Sequence, residues 1–335
     1  MRVQVTGAGI AGLCVAYEFA RAGCAVELIE RGEEPGLGCS HFAGGMLAPW
    51  CEAEAAEELV LDLGLESLKF WTDEVPVAVR HGTLAVAAMR DRPELSRFAR
   101  RASGFEILDA AKIAALEPDL AGHFGEALFF PKEAHLDPRG AMAALAARLA
   151  SFPGVRLRFG TEGAPAEDAD WTIDCRGFAA RDSLPDLRGV RGEMLVLRTS
   201  EIALSRPVRL LHPRHPVYIV PRRGGEFMIG ATMIENEEEG RITARSMMEL
   251  LGAAYVLHPA FGEAEVVETG AGVRPAFPDN LPKIRHDGRT LYVNGFYRHG
   301  FLLAPALARR TVRCALEGAY FPEVMDAHPC ERQRA

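Results

Sequence analysis

The chain has 335 residues, 38 Lys+Arg against 46 Asp+Glu and a hydrophobic fraction of 48%, which excludes a disordered chain and allows a large buried core. The formal net charge of −8 argues against a general nucleic-acid binder, since neutralising phosphates needs a basic face. Mean hydropathy is near zero and no run of about 18 apolar residues occurs, so the chain reads as soluble, with room for one large α/β domain or two lobes.

Arg2-Val3-Gln4-Val5-Thr6 alternates and is β-rich, Gly7-Ala8-Gly9-Ile10-Ala11-Gly12 follows at once, and Leu13 to Arg21 reads as a helix. Ala25 to Ile29 is a second strand, ending in Glu30, 18 residues after Gly12. A G-x-G-x-x-G between strand and helix, with an acid closing the next strand, has the pattern of a dinucleotide-binding turn. Gly7 permits the tight turn, Gly9 lets backbone approach a pyrophosphate, and Gly12 allows helix and strand to pack closely. The helix N-terminus offers N–H groups and a positive dipole end to phosphates. Glu30 can accept both ribose hydroxyls of an adenosine, and its charge repels a 2′-phosphate. The chain then enters Gly36 to Pro49, a long loop of small residues. Such backbone can lie against a flat ring system, which favours a flavin over a nicotinamide.

Further along, Leu59 to Phe70 reads as a helix, Gly82 to Ala88 and Ala127 to Phe130 as strands, and Arg92 to Ala102 and Ala110 to Leu116 as helices between them. Asp137-Pro138 opens a helix to about Ala150. Val155 to Phe159 and Trp171 to Cys175 are expected strands, the second running into Arg176-Gly177. Gly189 to Arg198, Val217 to Pro221 and Glu226 to Ala231 suggest a mainly antiparallel sheet. Arg245 to Tyr255 is an expected helix, Thr269 to Arg274 and Thr290 to Asn294 are strands, and Leu302 to Ala319 is a closing helix. The fold class expected is α/β: a Rossmann-type FAD-binding domain (1–75, 137–190 and 265–325) interleaved with an α+β substrate domain (76–136 and 191–264) whose sheet is mainly antiparallel.

Arg97, Arg100, Arg101 and Arg309, Arg310, Arg313 form basic clusters, answered by acidic ones at Glu52, Glu54, Glu57, Glu58 and at 235–239. These read as solvated faces. The seven cysteines, Cys14, Cys24, Cys39, Cys51, Cys175, Cys314 and Cys330, form no C-x-x-C pair, so reduced thiols are expected and a structural zinc site is not. Met1 leads straight into the first strand with no basic n-region and apolar h-region, hence no export signal and a cytoplasmic location are expected.

Together these motifs resemble the D-amino acid oxidase superfamily of FAD proteins, most closely its thiamine-biosynthetic glycine oxidase branch. The specific parts are Gly7 to Gly12 with Glu30, the loop Ser40 to Pro49, Tyr218 to Arg222 leading to Ile229 to Met233, Gly272-Val273-Arg274-Pro275, and Asn294 to Pro305. The resemblance implies oxidative deamination of a small amino acid or amine. The α-hydrogen passes as hydride to the flavin, the imine is hydrolysed to oxoacid and ammonia, and dioxygen becomes hydrogen peroxide. The imine serves the thiazole branch of thiamine synthesis. With FAD as electron acceptor, the protein need only hold and orient its substrate, so no acid–base catalytic residue is expected.

Holding an α-carboxylate suits a fork-shaped cation, and Arg274, at a strand end kept extended by Pro275, is the natural candidate. The alternative is an arginine capping a helix or pairing with Glu268. Tyr218 either adds its hydroxyl to the same carboxylate or fills core space. Met233 either walls the pocket, as the resemblance implies, or packs the core. Arg298 faces substrate or flavin by resemblance. N–H groups of His299, Gly300, Phe301 and Leu302 at the last helix's start are placed to stabilise negative charge on a reduced flavin. Hydride transfer from a neutral amine requires no base, so His299 is read as a backbone contact. The expected cofactor-binding set is Gly7, Gly9, Ile10, Ala11, Gly12, Glu30, Arg31, Cys39, Ser40, Gly44, Gly45, Met46, Gly177, Phe296, Tyr297, Arg298, His299, Gly300, Phe301 and Leu302, with no metal.

The family's motif often carries a histidine two residues before the tyrosine of Tyr-Ile-Val-Pro. Here that place is Pro216, with His215 one residue earlier, which leaves pocket size open. No cysteine stands where covalently flavinylated sarcosine oxidases use one, so FAD is expected to be non-covalent. The expected partners are a small amino acid or amine, dioxygen and further copies of the chain, with no nucleic acid and no membrane. Two readings remain open on residues alone: a flavin dehydrogenase for a D-amino or N-methyl amino acid using a non-oxygen acceptor, and a non-catalytic FAD-binding protein.

Overall fold

The computed structural model describes residues 1–52, 58–163, 166 and 168–326, and structural statements concern these. Glu54, Glu57 and Cys330 lie outside the described residues. The chain divides into two compact units: Met1–His41, Pro138–Val190 and Val273–Ala335 form the first, and Phe42–Asp137 with Arg191–Gly272 the second.

In the first unit, β1 (Arg2–Thr6) leads through the glycine turn into α1 (Ile10–Arg21) and back along β2 (Ala25–Ile29). β1 and β2 pair in parallel, from Arg2 opposite Ala25 to Thr6 opposite Ile29. Every residue of α1 from Ile10 to Ala20 is buried, which is why that stretch is apolar except for Glu18, which pairs with Arg21 and Arg309. Leu13, Val15 and Phe19 are fully covered, each contributing about 1.5–3 kcal/mol of burial. α2 (Pro138–Ala150), β3 (Val155–Arg158), β4 (Trp171–Asp174), β5 (Lys283–Asp287), β6 (Thr290–Asn294) and α3 (Gly300–Glu317) complete it. The six-stranded sheet has the order β5-β6-β4-β1-β2-β3, parallel except for the β5–β6 hairpin. The chain leaves β1 toward β2 on one side and β4 lies on the other, so the carboxyl end of β1 is the switch point at which such sheets bind ligands. α3 ends at Gly318, whose left-handed φ of 67° lets its N–H reach the Arg313 and Cys314 carbonyls.

The second unit is built on a nine-stranded sheet. Strand 217–221 runs antiparallel to 208–211 and to 226–230, and 226–230 antiparallel to 188–198. Strand 83–87 pairs antiparallel with 126–130 but parallel with 208–211. These pairings make the sheet mainly antiparallel, with a parallel junction between 83–87 and 208–211. Alternation sorts its faces. Leu84 and Val86 join the core under helix Ala244–Leu257, with Ile219, Phe227, Leu250 and Ala254, while Ala85 and Ala87 face Leu95, Phe98 and Phe130 on the other side.

Residues 42–75, grouped by motif order with the nucleotide domain, fall in this second unit. The physical reason is a buried polar anchor. The Cys51 N–H donates to Glu133 at 2.7 Å, and Glu52 pairs with Arg209 at 3.0 Å. Residues 265–272 also fall here, on the long strand Glu265–Ala276 that pairs with 188–198.

Among the described residues no helix is long and apolar enough to cross a membrane, the cysteines Cys14, Cys24, Cys39, Cys51, Cys175 and Cys314 are free thiols, and no group of three or more His, Cys, Asp or Glu could hold a metal.

Candidate functional site

The three glycines of the turn answer to different causes. A Cβ on Gly7, whose φ is 96°, would lie 2.6 Å from the Cys175 carbonyl oxygen, and one on Gly12 would lie 1.8 Å from the Gly7 oxygen. Packing of strand, turn and helix dictates both. A Cβ on Gly9 would meet only the Ser40 hydroxyl, at an ordinary 3.4 Å. Nothing in the chain demands glycine there, so the missing side chain leaves an open face at the start of α1. That is the fit a pyrophosphate requires, at a helix N-terminus where Gly9 provides no side-chain cap. The Ile10 N–H donates to Ser40 Oγ at 3.2 Å, which ties the small-residue loop to this turn.

Glu30, just past the end of β2, accepts from the Ala8 N–H at 2.6 Å and the Gly32 N–H at 2.9 Å. The two bonds fix its carboxylate at the mouth of the turn, and each oxygen keeps a lone pair for a ribose hydroxyl. Arg31 is exposed beside it.

A second helix start adjoins the first. A Cβ on Gly300, which opens α3, would stand 3.2 Å from Ile10 Cγ2, and His299 at the N-cap supplies no side-chain cap. The approach is a tight turn. Gly295 has φ 80° and Tyr297 φ 50°, the Phe277 ring fills the place of a Gly295 side chain, and the His299 N–H closes on the Phe296 carbonyl at 2.8 Å. Asn294 steadies the strand end by donating to the Gly177 carbonyl and accepting from the Gly295 N–H, both at 2.8 Å. The Tyr297 N–H donates to the Pro275 carbonyl at 2.9 Å, which joins the strand end carrying Arg274 to the turn carrying Arg298. Both arginines are half-buried. Burial raises the Cys39 thiol pKa, and the Arg274 guanidinium partly offsets the rise.

In the second unit, Gly44 lies beside Tyr218, with Gly45 and Met46 next along the loop. A Gly44 Cβ would overlap the Tyr218 ring at 2.4 Å, the Leu136 N–H donates to the Gly45 carbonyl at 2.9 Å, and Met46 pairs with His135 in a short ladder. Met233 is 49% exposed, so the surrounding core does not enclose it. Sequence reasoning missed three contributors: Ala8 and Gly32, whose N–H groups hold Glu30, and Arg222, which donates to the Gly44 and Leu136 carbonyls. A signal for Arg222 was available. It follows strand 217–221 directly, four residues after Tyr218, where a period-two pattern continued by one residue would put it on the same side.

Residues 2–313 match the model of the FAD-dependent oxidoreductase family. A protein of Rhizobium etli, named as a candidate thiamine biosynthesis oxidoreductase ThiO, is 60% identical over 324 residues, covering 96% of this chain and 99% of its own. The glycine oxidase of Pseudomonas aeruginosa is 29% identical, covering 92% and 93%. In fold, the chain is similar to the crystal structure of glycine oxidase from Geobacillus kaustophilus, with a TM-score of 0.80 at 24% identity over 98% of this chain and 99% of that one. The chain belongs to the FAD-dependent oxidoreductase family that also contains the D-amino acid and glycine oxidases.

Proposed function

We propose that the protein oxidises glycine, or a similarly small amino acid or amine, with FAD and dioxygen, and that its imine product serves the thiazole branch of thiamine synthesis. The observation that carries this is the position of Arg274 within the first unit. The strand end that bears this half-buried guanidinium is joined by the Tyr297 N–H to the turn before α3, and α3 opens at Gly300 against Ile10 of the dinucleotide turn.

The first unit would hold the cofactor through the N–H groups of Gly9, Ile10, Ala11 and Gly12, the Glu30 carboxylate with Arg31 beside it, Cys39, Ser40 and Gly177. When bound, FAD supplies the acceptor for a hydride from the substrate α-carbon. Arg274 forks onto the substrate carboxylate, Tyr218 adds its hydroxyl to the same group, and Arg298 faces the substrate from the turn before α3. Met233 walls the pocket. The backbone from Phe296 and Tyr297 to His299, Gly300, Phe301 and Leu302 presents N–H groups of a helix start, preorganised for negative charge. Gly44, Gly45 and Met46 would present flat backbone to the flavin ring system. No side chain need accept a proton before the hydride leaves, because the substrate reacts as the neutral amine. The net reaction takes amino acid, water and dioxygen to oxoacid, ammonia and hydrogen peroxide.

A cytoplasmic location and a homo-oligomeric state complete the proposal; light scattering behind size exclusion tests the second. The activity is tested by peroxide release with glycine, sarcosine and D-alanine. Turnover of an artificial acceptor without peroxide would replace the oxidase with a dehydrogenase, and no turnover of either kind would leave a FAD-binding protein without the chemistry.

A further inference from the structure

The ring of Tyr218 lies against two glycines. A Cβ on Gly44 would come within 2.4 Å of Tyr218 Cε2 and 3.1 Å of its hydroxyl oxygen, and a Cβ on Gly230 within 3.4 Å of the same ring carbon. Gly230 is fixed as the cross-strand partner of Tyr218. Gly44 belongs to no regular element, and Gly45 after it has a φ of 74°, so the wall it forms must be held from elsewhere.

Arg222 holds it. Its Nη2 donates to the Gly44 carbonyl at 2.6 Å and its Nη1 to the Leu136 carbonyl at 2.9 Å. The Leu136 N–H returns to the Gly45 carbonyl at 2.9 Å, and the Arg222 N–H is tied to the Glu226 carbonyl at 2.7 Å. The four bonds close a bracket with the planar guanidinium at its centre, spanning two carbonyls as only a fork can. His135, in the adjoining ladder, is kept neutral: burial first, then the Arg222 charge, lowers its pKa to about 4. Near neutral pH no cation at His135 opposes the guanidinium.

We infer that Arg222 is a positioning residue for substrate, which fixes the Gly44 wall and thereby the place of the Tyr218 hydroxyl. It touches neither substrate nor cofactor in this role. The inference rests on the assignment of Tyr218 to the substrate carboxylate.

The test is a double-mutant cycle on the holoenzyme. Arg222→Met should raise KM for glycine about tenfold while kcat changes less than about twofold, since a displaced hydroxyl weakens carboxylate binding, worth about 1.4 kcal/mol per tenfold. Arg222→Lys, which keeps the charge but not the fork, should recover only part of this. In a Tyr218→Phe background Arg222→Met should add less than about twofold, because the hydroxyl it positions is gone. The same factor in both backgrounds, or an unchanged KM, overturns the inference. Gly44→Ala attacks the same wall directly and serves if Arg222→Met does not fold: it should reproduce the KM rise and its loss in the Tyr218→Phe background, and a wild-type KM in it overturns the inference equally. Acetate binding, read as a shift of the flavin absorbance, follows the carboxylate contact without turnover. Absence of glycine oxidation therefore refutes the proposed function, whereas equal acetate affinity in wild type and Arg222→Met refutes the positioning role.

Discussion

The Tyr297 N–H donates to the Pro275 carbonyl at 2.9 Å, so the strand end carrying Arg274 and the turn carrying Arg298 move as one piece. Tyr297 sits at φ 50°, a conformation costly for a residue with a side chain and kept only where surroundings over-determine it. Phe277, packed where Gly295 has no side chain, supplies part of that constraint. The strand end of Arg274, the residue proposed for the substrate carboxylate, is thus tied to the backbone that leads into α3.

Arg274→Met should cost kcat/KM for glycine about 100-fold, since charge-assisted hydrogen bonds contribute about 1.5–3 kcal/mol. Methylamine, which has no carboxylate, should lose little. Oxygen uptake with both substrates checks this, and an equal loss on both would show that Arg274 supports the fold and not the carboxylate.

The glycines of the dinucleotide turn should separate cofactor binding from stability. Gly9→Ala adds a methyl that meets only Ser40 Oγ at 3.4 Å. It should leave apoprotein melting unchanged or raised by about 2 °C while weakening FAD binding at least about tenfold, because the methyl occupies the phosphate face. Gly12→Ala would place its methyl 1.8 Å from the Gly7 oxygen and should destabilise the apoprotein by about 3 kcal/mol. Calorimetry of both apoproteins, with fluorescence titration by FAD, distinguishes the effects.

Much of this architecture was legible in sequence, and the omissions have physical causes. Strands 25–29, 217–221 and 290–294 and helix 110–116 fall where alternation and apolar spacing place them. α1 begins at Ile10 and not at Leu13, since the last three residues of the glycine motif are already helical and Gly9 before them is extended. Strand Lys283–Asp287 was passed over because Lys, Arg, His and Asp obscure its period, although Asp287-Gly288 ahead of Thr290 is a hairpin signal. Strand Val208–Leu211 is buried at every position and so shows no alternation. At the site, local motifs identified Gly7, Gly9, Gly12 and Glu30 as a set. The Arg222 bracket was hidden because it spans Gly44, Leu136 and Arg222, and no local pattern encodes a contact over such separations.

Stability should fall as pH rises from about 6.5 to about 8. Burial, opposed in part by the Cys51 N–H, lifts the Glu133 carboxyl to about 8, and one of its oxygens lies buried with no partner. The folded state therefore binds a proton at Glu133 that the unfolded state has released, and the slope of stability with pH is negative between the unfolded value of about 4.3 and the folded one. His135, lowered to about 4, acts in the opposite sense but only below its unfolded value of about 6.5. The window from about 6.5 to about 8 thus isolates Glu133. Glu133→Gln should flatten the melting profile there, and an unaltered slope in this variant would assign the effect elsewhere.

The central claim is that this chain carries FAD and that glycine reduces it. The most direct measurement is the visible absorbance of the purified protein under anaerobic conditions before and after glycine. We expect a two-banded oxidised flavin spectrum that glycine bleaches and that air restores, with one peroxide released per flavin. An oxidised flavin spectrum unchanged by glycine, sarcosine and D-alanine, or a protein that retains no flavin on reconstitution, would contradict it.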